Sequence, residues 1–218
     1  PAGKTAQAIL RWKRFSFTEA PPIFGNSKPK SGSHLLLQIL NGFTQIMPYQ
    51  YVEADPVRTI TRDGRRRTET EIVADLRSTP RGVIGWGYVE ATPENVSFLT
   101  GSGRVNYFIY RDPRDAMLSA FDYGQRALKK GRPNAFSHLA DFEKSLEFMM
   151  EYVRIWEMWM KEKNVLIARY EDLLTDYDRE ATRLVGFLKL DGNRSEVQTV
   201  IENYRPGAAE GQQGLHFY

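Results

Sequence analysis

Residues 28–35 read Lys28-Pro29-Lys30-Ser31-Gly32-Ser33-His34-Leu35. Before them stands a short apolar stretch around Ile23 and Phe24. After them, Leu35, Leu36, Leu37, Ile39, Leu40 and Phe43 begin a helical pattern with a broad apolar face. A strand that hands over to a helix through small and cationic residues is suited to holding an anion. The helix start offers unpaired N–H groups and partial positive charge, glycine lets a ligand approach the backbone, and serine hydroxyls add donors. Taken alone, the octapeptide reads equally well as a solvated Ser/Gly loop with exposed lysines. It is not a Walker A loop, because Lys30 precedes Gly32 and no G-x-x-x-x-G-K-[ST] occurs, which disfavours a nucleoside triphosphatase.

The same succession of strand, turn and helix recurs downstream. Val105 to Tyr110 is a compact apolar and aromatic strand that ends at Arg111-Asp112-Pro113-Arg114-Asp115. A helical pattern of Ala116, Met117, Leu118, Ala120 and Phe121 follows. Residues 82–86 are β-rich, and Pro93 with Glu94 begins a helix for which Thr92 is the expected N-cap. Residues 142–163 form a long amphipathic pattern whose Leu146, Met149, Met150, Val153, Trp156 and Met160 are expected in the core. Residues 165–168 read as a further strand, and Tyr170-Glu171-Asp172-Leu173 leads into a helix through Leu184, Val185 and Phe187. The alternation predicts an α/β fold: one domain over residues 1–218, with a parallel sheet flanked by helices.

Bulk properties narrow the function classes. The 218 residues suit a single domain, which buries roughly 70% of the surface its unfolded chain exposes. Lys plus Arg number 30 against 27 Asp plus Glu, so no uniformly basic face for a nucleic-acid polymer is implied and an anion site must be local. The run Arg62-Asp63-Gly64-Arg65-Arg66-Arg67 is expected at a solvated hairpin tip. With no cysteine, neither disulfides nor thiolate metal ligation can occur. No apolar run approaches the roughly 20 residues of a membrane span. A cytoplasmic location is the expectation.

Arg111 and Ser119 stand eight residues apart, one at the strand end and the other two turns along, and could converge on a second phosphate. The pair P-K-S-G-S-H and R-D-P-R-D-A-M-L-S resembles the two nucleotide signatures of the sulfotransferase family, usually P-K-S-G-T-T-W and R-N-P-R-D-x-x-x-S. Arg169-Tyr170-Glu171-Asp172-Leu173 is similar to the family's Y-E-D-L segment. The likeness runs from about Ile23 to Phe187. It implies a P-loop-like fold and transfer of a sulfuryl group from 3′-phosphoadenosine 5′-phosphosulfate (PAPS), which leaves 3′,5′-adenosine bisphosphate (PAP). The acceptor would be a hydroxyl or amine of a small molecule, lipid or sugar, and no metal is called for.

By that resemblance, Lys30 contacts the oxygen bridging the sulfuryl group and the 5′-phosphate, while Ser31, Gly32, Ser33, His34 and Leu35 cradle that phosphate. Arg111 and Ser119 hold the 3′-phosphate, and Tyr170 lies beside the nucleotide. Tyr204 packs on adenine or is an ordinary helix-end aromatic. His34 stands where the family usually has Thr. The proton acceptor departs further from the pattern, because Tyr88 occupies the place of a common catalytic His, and a neutral tyrosine titrates near 10. Glu53, 23 residues after Lys30, and Glu90 are the expected alternatives. Tyr88 could also leave a binding-competent but slow or inactive protein. The family's Gly- and Lys-rich third nucleotide segment is absent before Tyr218, so a missing C-terminal tail is expected. Trp86, Tyr88, Phe121 and Tyr123, with Tyr49 and Tyr51, form either an aromatic acceptor wall or part of the core.

Overall fold

Every residue of β1 (Ile23–Ser27) is buried, as expected of a strand covered on both faces. The computed structural model describes residues 10, 22–47, 50, 51, 56–61, 65–79, 82–101 and 103–208. Among them β1 is joined by β2 (Gln50–Tyr51), β3 (Val57–Arg58), β4 (Val83–Tyr88), β5 (Val105–Tyr110) and β6 (Leu166–Arg169) in one sheet. Its order is β2-β4-β1-β5-β6, with β3 also paired to β4, and every pairing is parallel. The expected parallel α/β architecture is what the chain adopts.

Among the described residues the α-helices with assigned bounds are α1 (Ser33–Phe43), α2 (Glu69–Ser78), α3 (Pro93–Gly101), α4 (Pro113–Lys129), α5 (Phe142–Trp159), α6 (Tyr170–Thr175), α7 (Tyr177–Phe187) and α8 (Ser195–Asn203). Their caps follow the sequence. Thr68 and Glu71 close a reciprocal capping box on α2, and Asp112 caps α4 ahead of Pro113. Thr92 takes the expected place before α3, where its hydroxyl accepts from the Asn95 N–H at 3.4 Å.

Alternating side chains divide the core between the two faces of the sheet. Ile23, Tyr107 and Ile109 pack with Leu36 and Leu40 of α1, Leu184 of α7 and Val200 of α8. Phe24 and Phe108 point the other way, onto Ile72, Leu76, Leu99, Ile155 and Trp159. Each such side chain contributes about 1.5–3 kcal/mol by leaving water. Tyr107, Phe108, Phe24 and Trp159 are among the largest fully buried side chains of the described residues, so bulky aromatic rings fill the core on both faces of the central strands.

Two helices differ from expectation. α5 stops at Trp159, and its buried stripe is Ser145, Tyr152, Ile155 and Trp159. Leu146, Met150 and Met160, expected in the core, are 41%, 62% and 44% exposed. The apolar residues of this segment surround more of the helix than one packing face can cover, so periodicity alone misplaced the stripe. The segment after Tyr170 is two helices, broken at Asp176, whose backbone is non-helical (φ −140°, ψ 50°).

The arginine run has internal partners. Arg65 pairs with Glu71, Arg66 with Glu90 and Arg67 with Asp75. An antiparallel bridge between Ile60 and Arg66 is consistent with a hairpin, whose residues 62–64 lie outside those described. Among the described residues no helix is long and apolar enough to cross a membrane.

Candidate active site

β1, β4, β5 and β6 run in parallel, so their carboxyl ends and the turns that follow share one edge of the sheet. In open parallel sheets this edge is where ligands bind. After β1 the chain turns through residues 28–32 into α1. The Ser31 hydroxyl donates to the Lys28 carbonyl, and its oxygen accepts from the Lys28 N–H at 3.1 Å. The Ser31 N–H donates to the same carbonyl at 3.2 Å. Ser31 therefore knits the turn together and is itself fully buried. Its expected contact with phosphate is not what its polar atoms do here.

Lys30 and Gly32 on either side of Ser31 have positive φ, 70° and 93°. For a lysine this left-handed conformation costs about 1–2 kcal/mol, and such strain tends to persist where the surroundings impose it at a functional turn. Gly32 is the N-cap of α1 and makes no side-chain cap bond. A Cβ on Gly32 would overlap Tyr170 Cδ2 and lie 3.2 Å from Ile109 Cδ1. Glycine is required here by conformation and by space.

The second turn follows β5. The Arg111 N–H donates to the Tyr152 hydroxyl at 2.8 Å, and the Asp112 N–H donates to Glu171 Oε1 at 3.0 Å. The other Glu171 oxygen accepts from Arg169 Nε at 3.0 Å, so one carboxylate clips the ends of β5 and β6 together. The Arg111 guanidinium stands 5.0 Å over the Tyr170 ring. Its Nε is buried with no hydrogen-bond partner among the described residues, while its Nη2 makes a loose ion pair with Asp115 Oδ2 at 3.9 Å. A desolvated guanidinium donor of this kind fits an incoming anion.

Both turns open on one cavity of about 210 Å³. Lys30, Gly32, Ser33, His34 and Leu35 line it from the first turn, and Arg111 and Ser119 from the second. Tyr170 and Tyr88, also expected at the site, line it too, with Pro29, Tyr123 and Phe136. Lys30 Nζ stands 4.3 Å from the Tyr123 ring centroid and 5.7 Å from that of Phe136. Burial, followed by the nearby Arg126 and Arg111 charges, lowers the Lys30 pKa from its ordinary value. An anion entering between these cations would reverse that penalty.

The cavity is polarised along the sheet. Arg111 and Tyr170 follow β5 and β6, Lys30 follows the central β1, and Tyr88 ends β4 on the opposite side. The Tyr88 hydroxyl is 3.5 Å from Ser33 Oγ. Burial raises its pKa, only partly offset by the Ser33 hydrogen bond and the Arg58 charge, so it is a still poorer base than an ordinary tyrosine. Trp86 lies edge-on to Tyr88 at 5.6 Å, and the exposed His34 ring is 6.2 Å from Trp86.

Several expected residues fall elsewhere. Glu90 does not line the cavity. Its carboxylate is 3% exposed and is bound by Arg66 at 2.7 Å and Arg154 at 3.0 Å, which ties β4 to the hairpin and α5. A carboxylate held by two guanidinium groups outside the cavity is not positioned to meet an acceptor there. Tyr204 is also outside. It packs on Gly42, where an added Cβ would lie 2.6 Å from its ring, and its hydroxyl accepts from Gln45 Nε2 at 2.7 Å. It joins α8 to α1 rather than stacking on a base. Glu53 and Tyr49 lie outside the described residues. Phe136 was not singled out from sequence, since it comes from an irregular connection. Tyr123 belongs with Ser119 by its four-residue spacing along α4.

The profile of the Sulfotransferase domain family matches residues 96–206, half of the chain. The chain belongs to the sulfotransferase family. The match contains Arg111, Ser119 and Tyr170, while the turn around Lys30 lies before it. This sulfotransferase-family chain is 24% identical over 100 residues to an amine sulfotransferase of Oryctolagus cuniculus, covering 43% of the chain and 33% of the relative. It is 29% identical over 140 residues to cytosolic sulfotransferase 1 of Danio rerio, covering 62% and 46%. The aligned parts thus span a third to just under half of these curated relatives.

Among solved structures it resembles mouse sulfotransferase SULT7A1 complexed with PAP, with TM-score 0.53, 19% identity, and coverage of 93% of this chain and 70% of that one. It also resembles retinol dehydratase in complex with androsterone and inactive cofactor PAP, with TM-score 0.56, 14% identity, and coverage of 93% and 69%. At these identities the likeness is one of fold.

Proposed function

We propose that the cavity binds PAPS and that the protein transfers its sulfuryl group to a hydroxyl or amine of a small-molecule, lipid or sugar acceptor. The observation that carries this reading is the convergence of Lys30 and Arg111, from turns after different strands, on one cavity. A nucleotide with phosphates at both ends matches two separated cations.

PAPS supplies an activated sulfuryl group on its 5′-phosphate. The chain's own residues divide the remaining work. The start of α1, with Gly32 allowing close approach and the backbone N–H groups of Ser33 and His34 in its first turn, receives the 5′-phosphate. Arg111 and Ser119 receive the 3′-phosphate, and Tyr170 flanks the nucleotide. Lys30 faces the bridging oxygen and gains interaction energy as negative charge develops there, which lowers the barrier more than it tightens the ground state. The relative named as an amine sulfotransferase supports an amine among the acceptors. The relative named as cytosolic supports the expected cytoplasmic location.

Isothermal calorimetry with PAP tests the nucleotide site, and transfer of labelled sulfate from PAPS to a panel of phenols, alcohols and amines tests the reaction. Saturable binding with transfer is expected; absence of saturable binding would reject the assignment. The raised Tyr88 pKa favours a second reading, a binding protein of weak or no activity, which predicts PAP binding without transfer.

A further inference from the structure

We infer that His34 is the general base, taking the proton from the acceptor. The inference rests on the sulfotransferase reading above and concerns the half of the cavity that a nucleotide spanning Lys30, Arg111 and Tyr170 leaves free.

Position is the first argument. The sheet order runs β4-β1-β5-β6 across the cavity, so a nucleotide held from β1 toward β6 leaves the acceptor the β4 side. The His34 ring is on that side, 6.2 Å from Trp86 of β4, and its residue lines the same cavity as Lys30. It is four residues from Lys30 in sequence and exposed, as a group that must meet an incoming molecule has to be.

Chemistry is the second. Of the other ionisable groups lining the cavity, Lys30 and Arg111 are cations needed as such. Tyr88, Tyr123 and Tyr170 are phenols, and the Tyr88 phenol is pushed further from ionisation by burial. Glu90 is engaged by two arginines outside the cavity. Imidazole is the side chain whose ordinary pKa, about 6.5, suits proton transfer near neutrality. Among the described cavity residues, His34 alone carries one. In the step itself, an imidazole nitrogen accepts the acceptor's hydroxyl proton as the acceptor oxygen bonds to sulfur. The bond from sulfur to the bridging oxygen breaks, its electron pair stays on that oxygen beside Lys30, and PAP leaves.

The test compares wild type, His34→Asn, Glu53→Gln and the double variant His34→Asn/Tyr88→His. Two assays differ in their need for a base. In the first, PAPS sulfates 4-methylphenol, which must lose a proton. In the second, 4-nitrophenyl sulfate returns its sulfuryl group to PAP and releases a stable phenolate. PAP affinity is measured by calorimetry alongside. With His34 as the base, His34→Asn binds PAP within about threefold of wild type, loses on the order of 100-fold in the first assay and changes little in the second. The acidic limb near neutrality disappears from its pH–rate profile, and Tyr88→His, which places an imidazole against Ser33, restores part of the rate.

Equal losses in both assays, or lost PAP affinity, would make His34 a binding residue and overturn the inference. Loss of the first assay in Glu53→Gln with His34→Asn unaffected would transfer the role to Glu53. PAP binding by wild type without turnover in either assay would also overturn it, whereas absence of PAP binding would sink the function proposed above instead.

Discussion

Tyr170 covers Gly32 so closely that a methyl group on Gly32 would collide with Cδ2 and lie 3.1 Å from Cε2. The same ring lies beneath the Arg111 guanidinium, 5.0 Å away, so one aromatic side chain sets the spacing of both turns. Replacing Gly32 by Ala combines a left-handed backbone with this collision. It should lower stability by about 2 kcal/mol and PAP affinity by at least tenfold. Tyr170→Ala in the same chain should recover part of the stability loss, a non-additivity that denaturant unfolding of the four-member cycle would measure.

Arg111→Ala removes a desolvated guanidinium whose Nε has no partner among the described residues. Calorimetry should show PAP bound roughly 10- to 100-fold more weakly, the worth of a charged hydrogen bond. Arg111→Lys should recover little of it, because a point charge cannot reproduce the planar fork. Unchanged affinity in Arg111→Ala would remove the 3′-phosphate assignment.

Glu90→Gln should act on stability rather than on chemistry. It leaves Arg66 and Arg154 facing a neutral amide and should cost on the order of 2 kcal/mol, moderated by the solvent that both arginines reach. Chemical denaturation should reveal the loss, while kcat of the folded fraction stays close to wild type.

Lys28, beside the functional turn, is desolvated enough that its pKa falls from 10.5 to about 8, despite attraction from Glu151 and Glu90. Below about pH 8 both native and unfolded chains hold this proton, and the cost of burying the charge is constant. Between about pH 8 and 10.5 the native protein releases the proton while the unfolded chain retains it, so stability rises with pH through that window. Lys28→Met should therefore be more stable than wild type at pH 7, and urea titrations should show the advantage shrinking toward pH 10.5. A difference independent of pH would contradict the lowered pKa.

The turns at Lys30 and Arg111 were legible because their chemistry is local: glycine, proline and cap residues within a few positions of a strand end. Ser119 and Tyr170 were legible through spacing and resemblance, and the parallel sheet through alternation of elements. Glu90 and Tyr204 were not, because their partners, Arg154 and Gly42, are distant in sequence and meet them only when α5 and α8 dock. The stripe of α5 was misjudged for a related reason. Met150 and Ile155 look equally apolar in sequence, and the position of the sheet decides that Ile155 is covered.

Lys30 stands 4.3 Å above the Tyr123 ring. The resting ammonium is thus moored to a weak electron-rich surface that it must leave before meeting an oxygen, at a cost of about 0.5–1 kcal/mol. A doubly charged phosphate repays that release several times over, whereas a neutral or weakly polar visitor does not. The mooring consequently sharpens discrimination at the moment of entry, keeping the lysine occupied until a sufficiently anionic guest draws it away.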